Sequence, residues 1–209
     1  MHIRAKPGDV AELAVIMGDP ARVEQAAALL DDARIINSYR GYLAYTGRYE
    51  GTPVTVACHC IGGPSAAIAV EAAGEGEVVV PGEAFHVSTL PMMYSGVAGP
   101  SIADPGLTER LAREVEATGL RVHRGSVFSS DAFYLEGPEI VERWRSAGAV
   151  AVEMECATVF AVAAARGISA AAALIVSNNL ATHSRILTSE ELKPITLRTV
   201  RAAINAMTS

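Results

Sequence analysis

The 209-residue sequence has three cysteines, one tryptophan and 5% aromatic residues, and its frequent apolar runs are all short. Cys58, Cys60 and Cys156 are too few, and odd in number, for a disulfide framework; they fit the reduced thiols of an intracellular protein. Cys58-His59-Cys60 has the residue types of a metal site, but alternation along a strand would throw the thiols to one face and the imidazole to the other. Buried free cysteines are the better reading, and no metal is expected. Basic clusters are also lacking: 17 Lys and Arg stand against 23 Asp and Glu, a net charge of −6, which argues against a nucleic-acid surface. The alanine-rich runs break well short of the roughly 20 residues of a membrane span, and Met1 to Lys6 has no apolar core of a signal peptide. The expectation is a soluble cytoplasmic protein that engages neither nucleic acid nor membrane.

What is present is abundant core material, 50% hydrophobic residues, without linker, repeat or low-complexity stretch, so one domain over residues 1–209 is expected. Leu13 to Met17 reads as a strand stopped by Gly18-Asp19-Pro20, with helical spacing from Arg22 to Leu30. Tyr42 to Tyr49 and Val54 to Cys60 read as a hairpin around Glu50-Gly51-Thr52, and a glycine loop at Ile61 to Ser65 opens a helix over Ala66 to Ala73. Further strands are predicted at Val78 to Pro81, Arg121 to Phe128, the apolar run from Ala149, and Ala171 to Val176. Helices are predicted at Leu107 to Thr118, Pro138 to Ala147, Cys156 to Arg166 and Glu190 to Met207, with an irregular loop over His86 to Pro105. Strands alternating with helices indicate α/β architecture.

Chemistry concentrates in a few segments. Glu153 and Glu155, two apart at a strand end with Met154 between them, point the same way if the strand continues; they can address one polyol against an apolar surface. The alternative is a pair of first-turn acids stabilising the following helix, but the strands on either side are so apolar that two carboxylates there are costly without a partner. Ser177 and Asn178 close the next apolar run and are placed at the carboxyl end of the sheet, where α/β proteins bind ligands. Gly18-Asp19-Pro20-Ala21-Arg22 offers N–H groups and a guanidinium to an anion at a helix start, or is an ordinary Asp-Pro cap. Arg40 and His2 are surface residues on local grounds alone. The aromatics of Ser129-Ser130-Asp131-Ala132-Phe133-Tyr134 can stack on a planar base or pack in the core.

Taken in order, Gly18-Asp19-Pro20-x-Arg22, Arg40-Gly41, Tyr45-Thr46-Gly47, His59-x-Ile61-Gly62-Gly63-Pro64-Ser65, Ser129 to Tyr134, Val152-Glu153-Met154-Glu155 and Val176-Ser177 resemble the purine nucleoside phosphorylase and uridine phosphorylase family, nearly end to end. The wording is most similar to the hexameric archaeal-type purine nucleoside and 5′-methylthioadenosine phosphorylases. The resemblance implies a single α/β domain with a mixed, barrel-like central sheet flanked by helices. It implies phosphorolysis of purine nucleosides to free base and (deoxy)ribose 1-phosphate, in nucleoside salvage, with phosphate as co-substrate and no cofactor. By the same resemblance Gly18, Arg22 and Arg40 hold phosphate, and His2, Glu153, Met154 and Glu155 bind ribose. Phe133, Ser177 and Asn178 meet the base, and Asn178 and Arg22 carry catalysis. His2 and Arg40 would reach across a dimer, within a hexamer built as a trimer of dimers.

Two departures stand out. Asn178 occupies a place where bacterial hexameric relatives have aspartate, and an amide donates a hydrogen bond but transfers no proton at neutral pH. Between Ala73 and Gly74 the family pattern would add a core strand and an Arg-x-Gly-Ser/Thr-x-Gly phosphate turn. The rival readings are a hydrolytic nucleosidase and a nucleoside-binding oligomer without turnover. The uracil-clamping Gln-x-Arg of the uridine enzymes has no counterpart in Leu135 to Glu139, which favours a purine.

Overall fold

The computed structural model describes residues 4–6, 8–59, 68–69, 76–132, 134, 137–180 and 184–208, with backbone alone at 68–69. Its strands fall into two sheets. The first has the order β1-β4-β3-β2, with β1 (Leu13–Met17) parallel to β4 (Thr52–Cys58), and with β3 (Ala44–Tyr49) antiparallel to both β4 and β2 (Asp31–Asn37). Helix α1 (Pro20–Ala27) starts where the sequence places a stop: the Asp19 carboxylate accepts the Ala21 N–H at 2.8 Å, and Pro20 fills a position that needs no donor. Its Val23, Ala26 and Ala27 bury against Val54, Val56 and Cys58. Strand β2 was not expected from the sequence, because Asp31-Asp32-Ala33-Arg34 carries no apolar alternation; it is an exposed edge that pairs with β3 and runs close to Gly47. A Cβ at Gly47 would lie 2.7 Å from the Asp31 carbonyl oxygen, so only glycine lets the two strands approach.

The second sheet has the order β10-β6-β8-β9-β5. Strands β6 (Val78–His86), β8 (Val122–Ser129) and β9 (Ala149–Glu153) are parallel; β5 (Ile68–Ala69), β7 (Ser101–Ile102) and β10 (Leu174–Ile175) are antiparallel to their neighbours. One face packs α5 (Cys156–Arg166) through Val79, Ala84, Val127 and Ala151. The other packs α3 (Pro105–Ala117) and α6 (Ser189–Thr208) near the strand starts through Val78 and Val80. Near the strand ends it packs α4 (Pro138–Ser146), where Trp144 stacks on Phe128 with ring centroids 5.0 Å apart. Helix α6 ties the two sheets into one domain: Val200 and Ile204 bury with the first, Ala202 and Ala206 with the second.

The α/β class and the mixed sheet flanked by six helices agree with expectation, but among the described residues the strands close into no barrel. The helix predicted over Ala66 to Ala73 is absent at Ile68–Ala69, which pair with β9; its other residues, and the loop from Ile61, lie outside the described residues. Strand β6 runs five residues beyond Pro81 because a register shift between Pro81 and Glu83 absorbs the proline. The segment read as a loop contains α2 (Thr89–Ser95), capped by Ser88 and closed by Gly96, and also β7.

Candidate active site

The ends of β8 and β9 meet the start of α5. Ser129 and Glu153 are register partners, and the Ser129 hydroxyl donates to Glu153 Oε1. Glu153 Oε2 accepts the N–H groups of Glu155 at 2.6 Å and Cys156 at 2.7 Å, while Ser129 Oγ accepts the Ala157 N–H at 2.9 Å. These are donors that the first turn of a helix cannot satisfy internally, and the positive end of the α5 dipole favours the buried carboxylate. Glu153 is 1% exposed.

Glu155 has a different environment. The strand ends at Glu153, so alternation stops there, and the two acids do not share one face as a continued strand would require. Glu155 stands at the N-cap position of α5 with φ −131° and ψ −31°, and its side chain makes no capping bond. Its Oε1 is buried without a hydrogen-bond partner. Burial, and then the neighbouring Glu153 charge, push its carboxyl up to about 8, so in the free protein it holds a proton at neutral pH. Met154 is buried between the two acids. Burial and the Glu153 charge also raise the Cys156 thiol far above its ordinary range, which keeps it protonated and unsuited to nucleophilic work.

The sequence-predicted anion residues lie in the turns and the helix that adjoin the first sheet. Gly18 follows the end of β1, its carbonyl accepting the Cys58 thiol at 3.4 Å. Arg22 Nε lies 3.8 Å from Asp19 Oδ2, both side chains about 40% exposed, a loose pair that leaves the guanidinium able to swing to a ligand. Arg40 sits in a 3-10 turn, Tyr39–Gly41, with left-handed φ 57° and ψ 27°, an uncommon conformation for arginine. The Tyr39 ring has the Arg4 guanidinium carbon 3.9 Å from its centroid and that of Arg40 at 5.8 Å.

Strand β10 is antiparallel to β6, so Ser177 and Asn178 leave the sheet beside the start of β6, not at the carboxyl ends of the parallel strands. This corrects the placement read from the sequence, where an isolated apolar run carries no sign of its direction. The Gly76 N–H donates to the Val176 carbonyl at 3.0 Å, fixing that exit, and Leu180 then packs on the Trp144 and Val152 cluster. Asn178 is buried; its Oδ1 accepts the Ser177 hydroxyl at 3.1 Å, so its amide NH2 is the group left to donate. Thr188 and Glu191 form a capping box at the start of α6, with Thr188 N–H donating to Glu191 Oε2 at 2.8 Å and Glu191 N–H to Thr188 Oγ1 at 3.3 Å. The Arg185 guanidinium holds the Glu191 carboxyl down to about 2.

His2 and Phe133 lie outside the described residues. His86 was not singled out in the sequence because β6 was read as ending at Pro81. It is the register partner of Ser129, and its Nδ1–H donates to the Ser88 carbonyl at 3.0 Å, which leaves Nε2 as an acceptor in the neutral ring. Two open cavities of about 390 and 160 Å³ flank Ile102, and neither is lined by Gly18, Arg22, Arg40, Glu155 or Asn178.

The profile of the phosphorylase superfamily matches residues 12–78 and 71–207, in two pieces that meet around the segment where the sequence departs from the family pattern. A guanosine phosphorylase of Halorubrum lacusprofundi is 33% identical over 235 residues, covering 100% of this chain and 98% of the relative. That stretch exceeds the 209 residues of this chain by 26. A purine nucleoside phosphorylase of the DeoD type from a Jannaschia species is 34% identical, covering 91% of this chain and 92% of the relative. A uridine phosphorylase of Thermococcus kodakarensis is 32% identical, covering 87% and 78%. The chain belongs to the phosphorylase superfamily.

Proposed function

We propose that this phosphorylase-superfamily member cleaves purine nucleosides with inorganic phosphate, releasing the base and a pentose 1-phosphate, and serves nucleoside salvage. The observation that carries the reading is Glu155, a half-buried carboxyl with one unpartnered oxygen beside Met154, in a chain matched along its length by nucleoside phosphorylases. Glu155 accepts the ribose hydroxyls and holds the sugar. Gly18 N–H and Arg22, with Arg40 from a neighbouring subunit, hold phosphate beneath C1′. His2 meets the 5′ side of the sugar and Phe133 lines the base.

Positioning then does most of the chemistry. As the glycosidic bond stretches, positive charge grows on the ribose and is met by phosphate, while the electron pair moves onto the purine and is met by the Asn178 amide N–H. The phosphate oxygen bonds to C1′, and the base leaves with the glycosidic electron pair and takes a proton from solvent. No metal or organic cofactor takes part. The protein acts in the cytoplasm as a homo-oligomer, a hexamer of paired subunits that complete each other's sites; no described helix is long and apolar enough to cross a membrane.

A hydrolytic reading, with water in place of phosphate, is favoured by the sequence departure itself: the phosphate turn of the family pattern has no counterpart between Ala73 and Gly74, and the family match falls into two pieces around that segment. Base release from inosine, adenosine, 5′-methylthioadenosine and uridine, with and without phosphate, tests both. Phosphate-dependent release from the purine nucleosides is expected. Equal release without phosphate establishes hydrolysis, and release from uridine alone overturns the purine assignment.

A further inference from the structure

Both oxygens of Glu153 are engaged inside the fold, by Ser129 on one side and by the N–H groups of Glu155 and Cys156 on the other. At 1% exposure it has no surface to offer a ligand. Helix α5 begins at Cys156, yet Glu155 in the N-cap place makes no capping bond. Capping falls instead to Glu153, two residues earlier, and to Ser129 on the adjoining strand, whose Oγ takes the Ala157 N–H.

We propose that Glu153 is a positioning residue, not a sugar ligand: by capping α5 and clasping the end of β8, it fixes the corner from which Glu155 presents its unpartnered oxygen to the nucleoside. The proposal rests on Glu155 being the sugar-binding carboxylate. Without the clasp, the change from strand to helix between Glu153 and Cys156 loses three of the hydrogen bonds that define it, and Glu155 loses its direction. Glu153 also acts on Glu155 through charge. Among the described residues, the titratable groups bearing on this corner are Glu153 from β9 and Cys156 at the head of α5, the latter a neutral thiol. An ionised Glu155 accepts two sugar hydroxyls and a protonated one does not, so the acid limb of kcat/KM follows its ionisation, and the Glu153 charge helps to set where that limb falls.

Glu153→Gln retains shape and can accept N–H groups through its carbonyl, but it removes the charge. The acid limb of kcat/KM for inosine is expected to move down by about one pH unit. Ser129→Ala retains the charge and loosens the clasp; KM for inosine is expected to rise about tenfold with the limb in its wild-type place. A limb that stays put in Glu153→Gln, or a wild-type KM in Ser129→Ala, overturns the proposal; should Glu153→Gln not fold, Ser129→Ala decides alone. Glu155→Gln separates this from the reading beneath it. If that variant binds and cleaves inosine as the wild type does, the sugar assignment itself fails; if it loses activity while both other variants behave as wild type, only the positioning role falls.

Discussion

The backbone N–H of Glu155 donates to the carboxylate of Glu153 at 2.6 Å, so the second acid of the pair is held by the first while its own Oε1 stays unpartnered. An oxygen buried without a donor is costly in the free protein and is satisfied when a hydroxyl arrives. Glu155→Ala should lower kcat/KM for purine ribonucleosides by about a hundredfold or more, the scale of two charge-assisted hydrogen bonds. Base release measured at subsaturating nucleoside checks this, with oligomer size as the control for folding.

The raised carboxyl of Glu155 also carries a stability signature. Its folded value, about 8, lies above the ordinary 4.5, so its contribution is complete below about pH 4.5 and is lost as pH rises through 8. Denaturant titrations of the free protein should therefore show stability falling across this window by on the order of 3 kcal/mol. Glu155→Gln should flatten that slope; an unchanged slope would place the titration elsewhere.

Asn178 can donate through its amide but cannot protonate a leaving base. Asn178→Asp should raise kcat on adenosine, whose leaving base needs protonation, by about tenfold or more relative to inosine. Parallel progress curves on the two nucleosides measure the ratio, and a ratio equal to wild type would remove Asn178 from the base site.

Arg40 is exposed and held in a left-handed turn, as suits a residue presented to another subunit. Arg40→Ala and Glu155→Ala, each of low activity alone, should regain a measurable part of it when co-expressed, because mixed oligomers contain some sites built from two intact halves. Purified mixed oligomers as inactive as either parent would mean that each subunit's site is self-contained. Addition of a chelator should leave the wild-type rate unchanged.

Strands and helices with strong periodicity were legible in the sequence: β1, α3 and α5 fall within two residues of where the pattern puts them, because each buries one apolar face. Strand β2 was not, since an exposed edge needs no apolar alternation, and Gly47 alone allows its approach. At the proposed site, the Glu153-Met154-Glu155 segment stood out in the sequence as two acids at a strand end. The different surroundings of the two acids were not legible, because they depend on β9 ending at Glu153 and on Ser129, 24 residues earlier, supplying a hydroxyl. The direction of β10, and so the exit of Asn178, is decided by pairing across nearly 100 residues that no local pattern records.

Trp144, the chain's one tryptophan, stacks on Phe128, one residue before Ser129, and buries beside Val152, which precedes Glu153, and Leu180, two residues after Asn178. Its indole thus belongs to one apolar cluster with neighbours of Ser129, Glu153 and Asn178. That places a native fluorophore beside the segments proposed to hold the nucleoside, and a change of intrinsic emission on adding inosine is the expected signal of binding there, read without label or coupled assay.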